Sequence, residues 1–498
     1  MFLGIVGTFT AAAALALAVV AFGGPADAQT AGCGTIQGRV NNAPSGATVD
    51  LPDGCVYRET VSVNKPLTLR GGPGVEIRGS DVWTSWTKSG VYWVRGTLPS
   101  FIVKGECKTG TARCRWPEQV FFDGRPLLQV ASNPKSGQFA VNSARQVVLA
   151  DDPAGHRVEV STRRQWVVGG SGGVTIENFS MTHAANEAQT GAIKNAVPGI
   201  AQGYDNWTVR NNRLSYAHGP LVTLGAATGL RLTGNDIHHS GQLGVNGSYA
   251  SLEVLNNKIH HNNTEDFRTD WSAGGMKNTH MSRLVASGNE VYENDWTGLW
   301  CDEGCRNVTY SNNRVHHNKK RGIHFEISDG ATITGNVLWE NGWGTTDSAG
   351  DPGIVVVASR DVDVGYNTLA WNNDGILVVN ADRPHGDGTE YDLVKNVRVH
   401  HNDILSKDYP GGSHLALNWI KAYTGGNIYD PIANNRGHDN RYWYPSAEGS
   451  PTRYGWTSKY NRLSPFSATL GEERGRYLTA TEKNSLVAAK SIPASPEH

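Results

Sequence analysis

The stretch "GLRLTGNDIHHSG", residues 229–241, returns as "SLEVLNNKIHHNN" at 251–263 and as "NVTYSNNRVHHNK" at 307–319. Each copy holds an alternating strand, an Asn, a short apolar strand and a polar turn. Further copies begin at Asn206, Arg283, Gly330, Asp361 and Asn396. The repeated Asn falls at 212, 235, 257, 289, 313, 336, 367 and 402, a base step of 22–24 residues that loops lengthen in some turns. One such phrase cannot bury its apolar side alone, whereas stacked coils bury it against one another. The period therefore predicts a solenoid in which the stacked Asn side chains satisfy turn backbone groups and each other, a structural role. The paired histidines at 238–239, 260–261, 316–317 and 400–401 recur in the same way. Their repetition favours a ladder or a solvated face over a metal centre, which needs only three or four converging ligands.

Composition agrees. Among 498 residues there are 59 Gly and only 4 Met, which suits a turn-rich β protein. A net charge of −1 gives no reason to expect a nucleic-acid partner. The 15 Trp exceed what a core of this size needs, and any that are exposed suit stacking on sugars. The N-terminal run "MFLGIVGTFTAAAALALAVVAFGGPADA" ends in the small-residue site Ala26-Asp27-Ala28. Residues 1–28 read as a secretory signal cleaved before Gln29, although no Lys or Arg precedes the apolar run, which leaves a mis-assigned start or a retained anchor as alternatives. No later segment is apolar enough to span a bilayer, so a secreted protein with no membrane partner is expected. Six Cys form three close pairs, Cys33/Cys55, Cys107/Cys114 and Cys301/Cys305. In an exported chain local disulfides are the simplest of about fifteen connectivities. Zinc fits poorly, because no pair has a second pair at finger spacing.

The repeat resembles the right-handed parallel β-helix of the pectin-lyase-like superfamily, from about residue 173 to 425. The resemblance implies an all-β solenoid, with a cap and first coil over 29–81 and the repeats over 169–425. Residues 82–168 break the rhythm, and "QVFFDGRPLLQV", "RQVVLADDP" and "HRVEVST" read as hairpin strands of a β-rich insert. Residues 426–498 form an irregular tail ending in "TATEKNSLVAAKS" (479–491), a capped short helix expected to close the stack.

The last strand of each coil begins with Gly, at 275, 298, 322, 353 and 375. The next residue is always apolar (Met276, Leu299, Ile323, Ile354, Ile376), so it points in, and positions two and four after Gly point out. One outward row is then Lys277, Trp300, His324, Val355 and Leu377, the other Thr279, Asp302, Glu326, Val357 and Val379. Asn278 is a polar residue at an inward position. Asp302 and Glu326 should sit side by side, with Trp300, His324 and Lys277 in the same patch. Adjacent like charges destabilise a sheet and raise one pKa, which marks a functional patch better than a solvated face neutralised by Lys277 and His324. The loops 262–274, 341–353 and 380–392 flank this sheet and bring Asp266, Arg268, Asp270, Trp271, Trp343 and Asp351 toward it as candidate substrate contacts. The aliphatic outward positions are expected to lie beneath the C-terminal tail.

Paired carboxylates beside a Trp platform match glycoside hydrolysis, with Glu326 as acid and Asp302 as its partner. No metal or cofactor is then needed, the partner is a polysaccharide or oligosaccharide, and a monomer suffices. The superfamily also hosts lyases and uronate epimerases. In that reading Lys277 or His324 removes a C5 proton, while Asp302 and Glu326 hold Ca²⁺. The Asn-Thr-Asp, Asp-Asp, Gly-His-Gly and Arg-Ile-Lys set of polygalacturonases is absent, as is a convincing pectate-lyase signature. "RPHGD" at 383–387 bears only a faint similarity to the Asp-Pro-His-Asp motif of mannuronan epimerases. A third reading is a sugar-binding surface protein without turnover.

Overall fold

The computed structural model describes residues 32–344, 351–383, 394–408, 414–422 and 426–497, so the signal-like segment 1–28 lies outside the described residues. Three long sheets, of 12, 13 and 13 strands, run side by side along the stack. Sheet I extends from Thr48–Asp50 to Arg436–His438, sheet II from Val56–Tyr57 to Arg476–Tyr477, and sheet III from Val61–Val63 to Lys459–Tyr460. A single coil visits them in turn, as in Ser251–Leu255, Lys258–His260 and Gly274–Thr279. Each strand pairs in parallel with its counterpart in the next coil, until Tyr454–Gly455 and Lys459–Tyr460 close sheet III as an antiparallel pair. The inward positions form one continuous apolar core.

The turn between sheets I and II explains the repeated Asn. The Asn212 side-chain amide donates to the Oδ1 of Asn235, and the column continues through Asn257, Asn289, Asn313, Asn336, Asn367 and Asn402 to Asn440, at 2.9–3.1 Å. Each Oδ1 also accepts the backbone N–H of the preceding Asn, as Asn313 does from Asn289 at 3.0 Å. The residue before each ladder position turns left-handed, with φ of 53° at Asn256, 68° at Gly288 and 55° at Asn312. Asn and Gly tolerate that conformation, hence the alternation of Asn-Asn and Gly-Asn from Asn212 to Asn336, while Tyr366 and His401 hold it before Asn367 and Asn402. Glu472 ends the column: it accepts from Asn440 Nδ2 at 2.7 Å and from the Tyr442 hydroxyl at 2.6 Å. Burial pushes its carboxyl up to about 7.

A second ladder lies five residues further on, linking Asn262, Asn294, Asn318, Asn341 and Asn372 at 2.8–2.9 Å. The histidine pairs belong to the same turn. The first member stacks in a column, with centroids 5.0 Å apart for His238–His260, 4.6 Å for His260–Tyr292 and 5.0 Å for Tyr292–His316. The second takes the left-handed turn position, at φ 56°, 55° and 53° for His239, His261 and His317. Among the described residues, His401, His438 and Asp439 alone gather three metal-ligating groups, and Arg474 already pairs with Asp439 at 2.7 Å.

The chain leaves the stack after Glu76–Arg78 and returns at Val167–Gly169. In between, two small, mainly antiparallel sheets enclose their own core of Leu98, Val120, Phe139, Val147, Leu149, Val158 and Val160. Three disulfides join Cys33–Cys55, Cys107–Cys114 and Cys301–Cys305. The loop closed by Cys107–Cys114 docks on the 262–274 loop, where Arg113 pairs with Glu265 at 2.8 Å and Cys107 bridges Phe267.

Three expectations are corrected. Coils continue past 425, because Arg436–His438, Arg441–Trp443 and Tyr454–Gly455 of the tail pair with the preceding rungs. The helix Ala480–Lys490, with a Thr479/Glu482 capping box, does not close the stack. It lies along the flank of sheet II, where Val487 packs in a cluster with Val337, Trp339, Trp371 and Leu405. The aliphatic outward rows are covered only in part: Val355 and Leu377 are 2% and 3% exposed, whereas Val357 and Val379 are half-buried and line a cleft together with tail residues 455–459.

Candidate active cleft

Sheet III sets the site by register. Lys277 pairs with Trp300, Trp300 with His324 and His324 with Val355, while Thr279 pairs with Asp302, Asp302 with Glu326 and Glu326 with Val357. Between these outward residues, Leu299, Cys301, Ile323 and Phe325 are fully buried in the core. Asp302 and Glu326 thus occupy neighbouring rungs, spaced about 4.8 Å. The Cys301–Cys305 disulfide closes the turn immediately after Asp302.

The charges on this face are tightly matched. Lys277 Nζ lies 2.8 Å from Asp302 Oδ2, donates to the Trp271 carbonyl at 2.8 Å and sits 3.7 Å from the Trp300 ring centroid. Asp302 Oδ1 has no hydrogen-bond donor among the described residues. Trp300 stacks on His324 at 5.1 Å and 15°. His324 Nε2 is 3.2 Å from Glu326 Oε2, and Arg383 reaches Glu326 Oε1 at 2.7 Å. Burial, reinforced by Arg321 and Lys277, holds the His324 imidazole well below its usual range, so it is neutral. Burial also raises the Glu326 carboxyl, and the adjacent Asp302 adds to this; together they outweigh Arg383 and Arg321.

A cleft of about 920 Å³ opens over this face. Asp270, Trp296, Trp300, Asp302, Arg321, Glu326 and Arg383 line the end at the charged rungs. Val355, Val357, Leu377, Val379, Ile420 and Trp456 line the other. Lys277 and His324 do not line it: His324 is 1% exposed, while Lys277 at 8% is as accessible as Asp302 but is turned to that acid and to the Trp271 carbonyl. Of the loop candidates only Asp270 reaches the cleft, held by Arg268 at 2.8 Å. Trp271 packs on Phe267, and Asp266 pairs with Arg113 and Lys108. Trp343 donates to the Trp371 carbonyl at 2.8 Å, while Asp351 sits behind Lys320 at 3.5 Å.

A family model described as "Right handed beta helix region" matches residues 198–369. The chain is a right-handed parallel β-helix. This β-helix is similar to the solved complex of XylC with xylose, at 15% identity over 84% of this chain and 82% of that one, with a TM-score of 0.57. It also matches the Azotobacter vinelandii mannuronan C-5 epimerase AlgE6 A-module, at 13% identity over 83% of this chain and 90% of that one, with a TM-score of 0.42. No curated protein matches the sequence. Identities this low establish the fold alone.

Several residues of the cleft escaped the sequence reading of the β-helix. Trp296 and Lys320 stand two residues before the strand-opening glycines 298 and 322, and Arg321 and Asp374 stand one before 322 and 375. Extending the glycine alignment two residues toward the N-terminus would have found all four. Arg383 and Trp456 lie outside the repeat and carry no such signal. Of "RPHGD", only Arg383 lies among the described residues.

Proposed function

We propose that the cleft binds a glycan and hydrolyses a glycosidic bond. Glu326 protonates the glycosidic oxygen as the C–O bond breaks. Asp302 either attacks the anomeric carbon, giving a glycosyl ester that water later cleaves with Glu326 as base, or takes a proton from the attacking water. The observation that carries this reading is the placement of both carboxyls in one cleft on adjacent rungs, with Glu326 raised by burial and by Asp302. A raised carboxyl keeps its proton longer, which suits Glu326 to the donor's part. Trp296, half-buried, lines the cleft with the Lys320 ammonium over its ring at 4.0 Å. The xylose complex of a similarly folded protein makes xylosides a sensible first class to screen. Three disulfides suit an oxidising compartment and hence an exported enzyme.

The lyase or epimerase alternative has less support. A base acting at C5 must touch substrate, yet His324 is 1% exposed and the Lys277 ammonium is engaged by Asp302 and the Trp271 carbonyl. Each carboxyl that would hold Ca²⁺ already faces a cation of the chain, Lys277 or Arg383.

The test is a panel of polysaccharides and glycosides, including xylan and xylosides, incubated with the full chain, Asp302→Asn and Glu326→Gln. The expected products are reducing ends without an unsaturated-sugar absorbance, with both variants impaired. An ultraviolet-absorbing product would replace hydrolysis by elimination. Binding without turnover would make the protein a lectin-like module, and undiminished variants would remove the site.

A further inference from the structure

Beyond the acids, the cleft changes character. In sheet III the outward residues of the next two rungs are Val355 and Val357, then Leu377 and Val379, and Ile420 follows on the third. Val357, Val379 and Ile420 are half-buried and face the cleft, and the aromatic side chains of Tyr429 and Trp456 stand beside them. An outward sheet face built for solvent would carry Thr, Ser or charged residues at these positions. Asn418, beside Leu377 on the rung of Ile420, adds one polar group to this floor, and Thr457 and Ser458 come from the tail.

This floor is a poor bed for sugar hydroxyls. A hydroxyl buried against Val, Leu and Ile loses its water and finds no partner. An alkyl, aryl or acyl group loses nothing there and gains by leaving water. The cleft, at about 920 Å³, is large enough to hold a sugar at the acids and a further group on the aliphatic rungs.

We infer that the aliphatic end of the cleft is a subsite for an apolar, non-sugar group carried by the substrate, an alkyl or aryl aglycone or an acyl substituent. The inference rests on the proposed glycan-cleaving role of the same cleft. Val357, Val379 and Ile420 are its specificity-determining residues.

Methyl and n-octyl glycosides of xylose and of glucose provide the test, because the two leaving alcohols differ in apolar length and hardly in intrinsic reactivity. For the full chain, kcat/KM for the octyl glycoside should exceed that for the methyl glycoside by about tenfold or more. In the double variant Val357→Thr/Val379→Thr that ratio should fall toward one. A ratio near one in the native protein, or an equally large ratio in the variant, overturns the inference. If no glycoside is cleaved, the hydrolytic reading fails separately. Calorimetric titration with the same octyl and methyl glycosides then decides the subsite: tighter octyl binding, weakened in the double variant, sustains it, and equal affinities reject it.

Discussion

Lys277 places its ammonium 2.8 Å from Asp302 and 3.7 Å from the centre of the Trp300 ring. It is the only cation in ion-pair reach of Asp302 among the described residues, and both side chains are nearly buried. Removing one partner of a buried pair leaves the other charge uncompensated. Lys277→Met is therefore expected to lower kcat by about 100-fold with a much smaller change in KM, because the ammonium positions a reacting carboxylate without lining the cleft. Lys277→Arg should recover part of the loss. Steady-state kinetics with a cleaved glycoside checks both, and a loss confined to KM would place Lys277 in ground-state binding instead.

Glu326 should set the alkaline limb of the activity profile. Its carboxyl is raised by burial and by Asp302, so the proton is retained above the ordinary Glu range and is lost as the pH passes the raised value. A proton donor works below that point, so activity falls on its alkaline side. Glu326→Gln should abolish this limb and cost about 10²–10⁴-fold on alkyl glycosides. It should cost far less on dinitrophenyl glycosides, whose leaving group needs no proton. Asp302→Asn should impair both substrates alike, and stopped assays across pH separate the two patterns.

Asn313 sits mid-column, accepting from Asn289 and donating to Asn336 and to the Ala286 carbonyl, all at 2.9–3.0 Å. Asn313→Ala strands several buried backbone and side-chain groups at once. Each orphaned group costs about 1–3 kcal/mol, so a destabilisation of about 3 kcal/mol or more is expected from urea unfolding. A loss below about 1 kcal/mol would mean that water replaces the missing amide.

Stability should peak on the acid side of neutrality, near the ordinary His value, for two opposed reasons. Burial lowers His316 to about 3 and His238 and His239 to about 4, so these rings fold neutral. Their contribution is complete above the ordinary His value and is lost as the pH falls through that range toward the folded ones. Glu265 and Glu472 are both raised to about 7 by burial. Their contribution is complete below the ordinary Glu value and is lost as the pH climbs to about 7; for Glu472 it is at most about 3 kcal/mol. Melting temperatures measured across pH should fall on both sides. Glu472→Gln should flatten the alkaline side, and His316→Phe the acid side.

The repeat made the register of sheet III legible because glycine, an inward apolar residue and two outward positions recur in every coil. That pattern alone puts Asp302 beside Glu326. It does not say which outward residues stay accessible. Lys277 and His324 point out of the barrel yet are buried, because the 262–274 loop supplies the Trp271 carbonyl to Lys277 and Trp300 stacks over His324. The second ladder was equally readable, since Asn262, Asn294, Asn318, Asn341 and Asn372 each follow a first-ladder Asn by five residues. The helix at 480–490 shows the opposite limit: its capping box fixes where it starts, but only the apolar cluster around Trp339 and Trp371 decides where it rests.

A stack of parallel strands has two open faces, each a ready template for another copy. Here the helix Ile36–Asn42 buries Ile36 and Val40 against one, and the antiparallel turn-back at Tyr454–Tyr460 with Leu463 and Phe466 blocks the other. These plugs are what keep a molecule built on a fibre-like repeat finite. A chain lacking both the helix Ile36–Asn42 and the residues from Tyr454 onward would expose strand edges at both ends and should grow end to end into filaments visible by electron microscopy, whereas loss of one plug alone should stop at dimers.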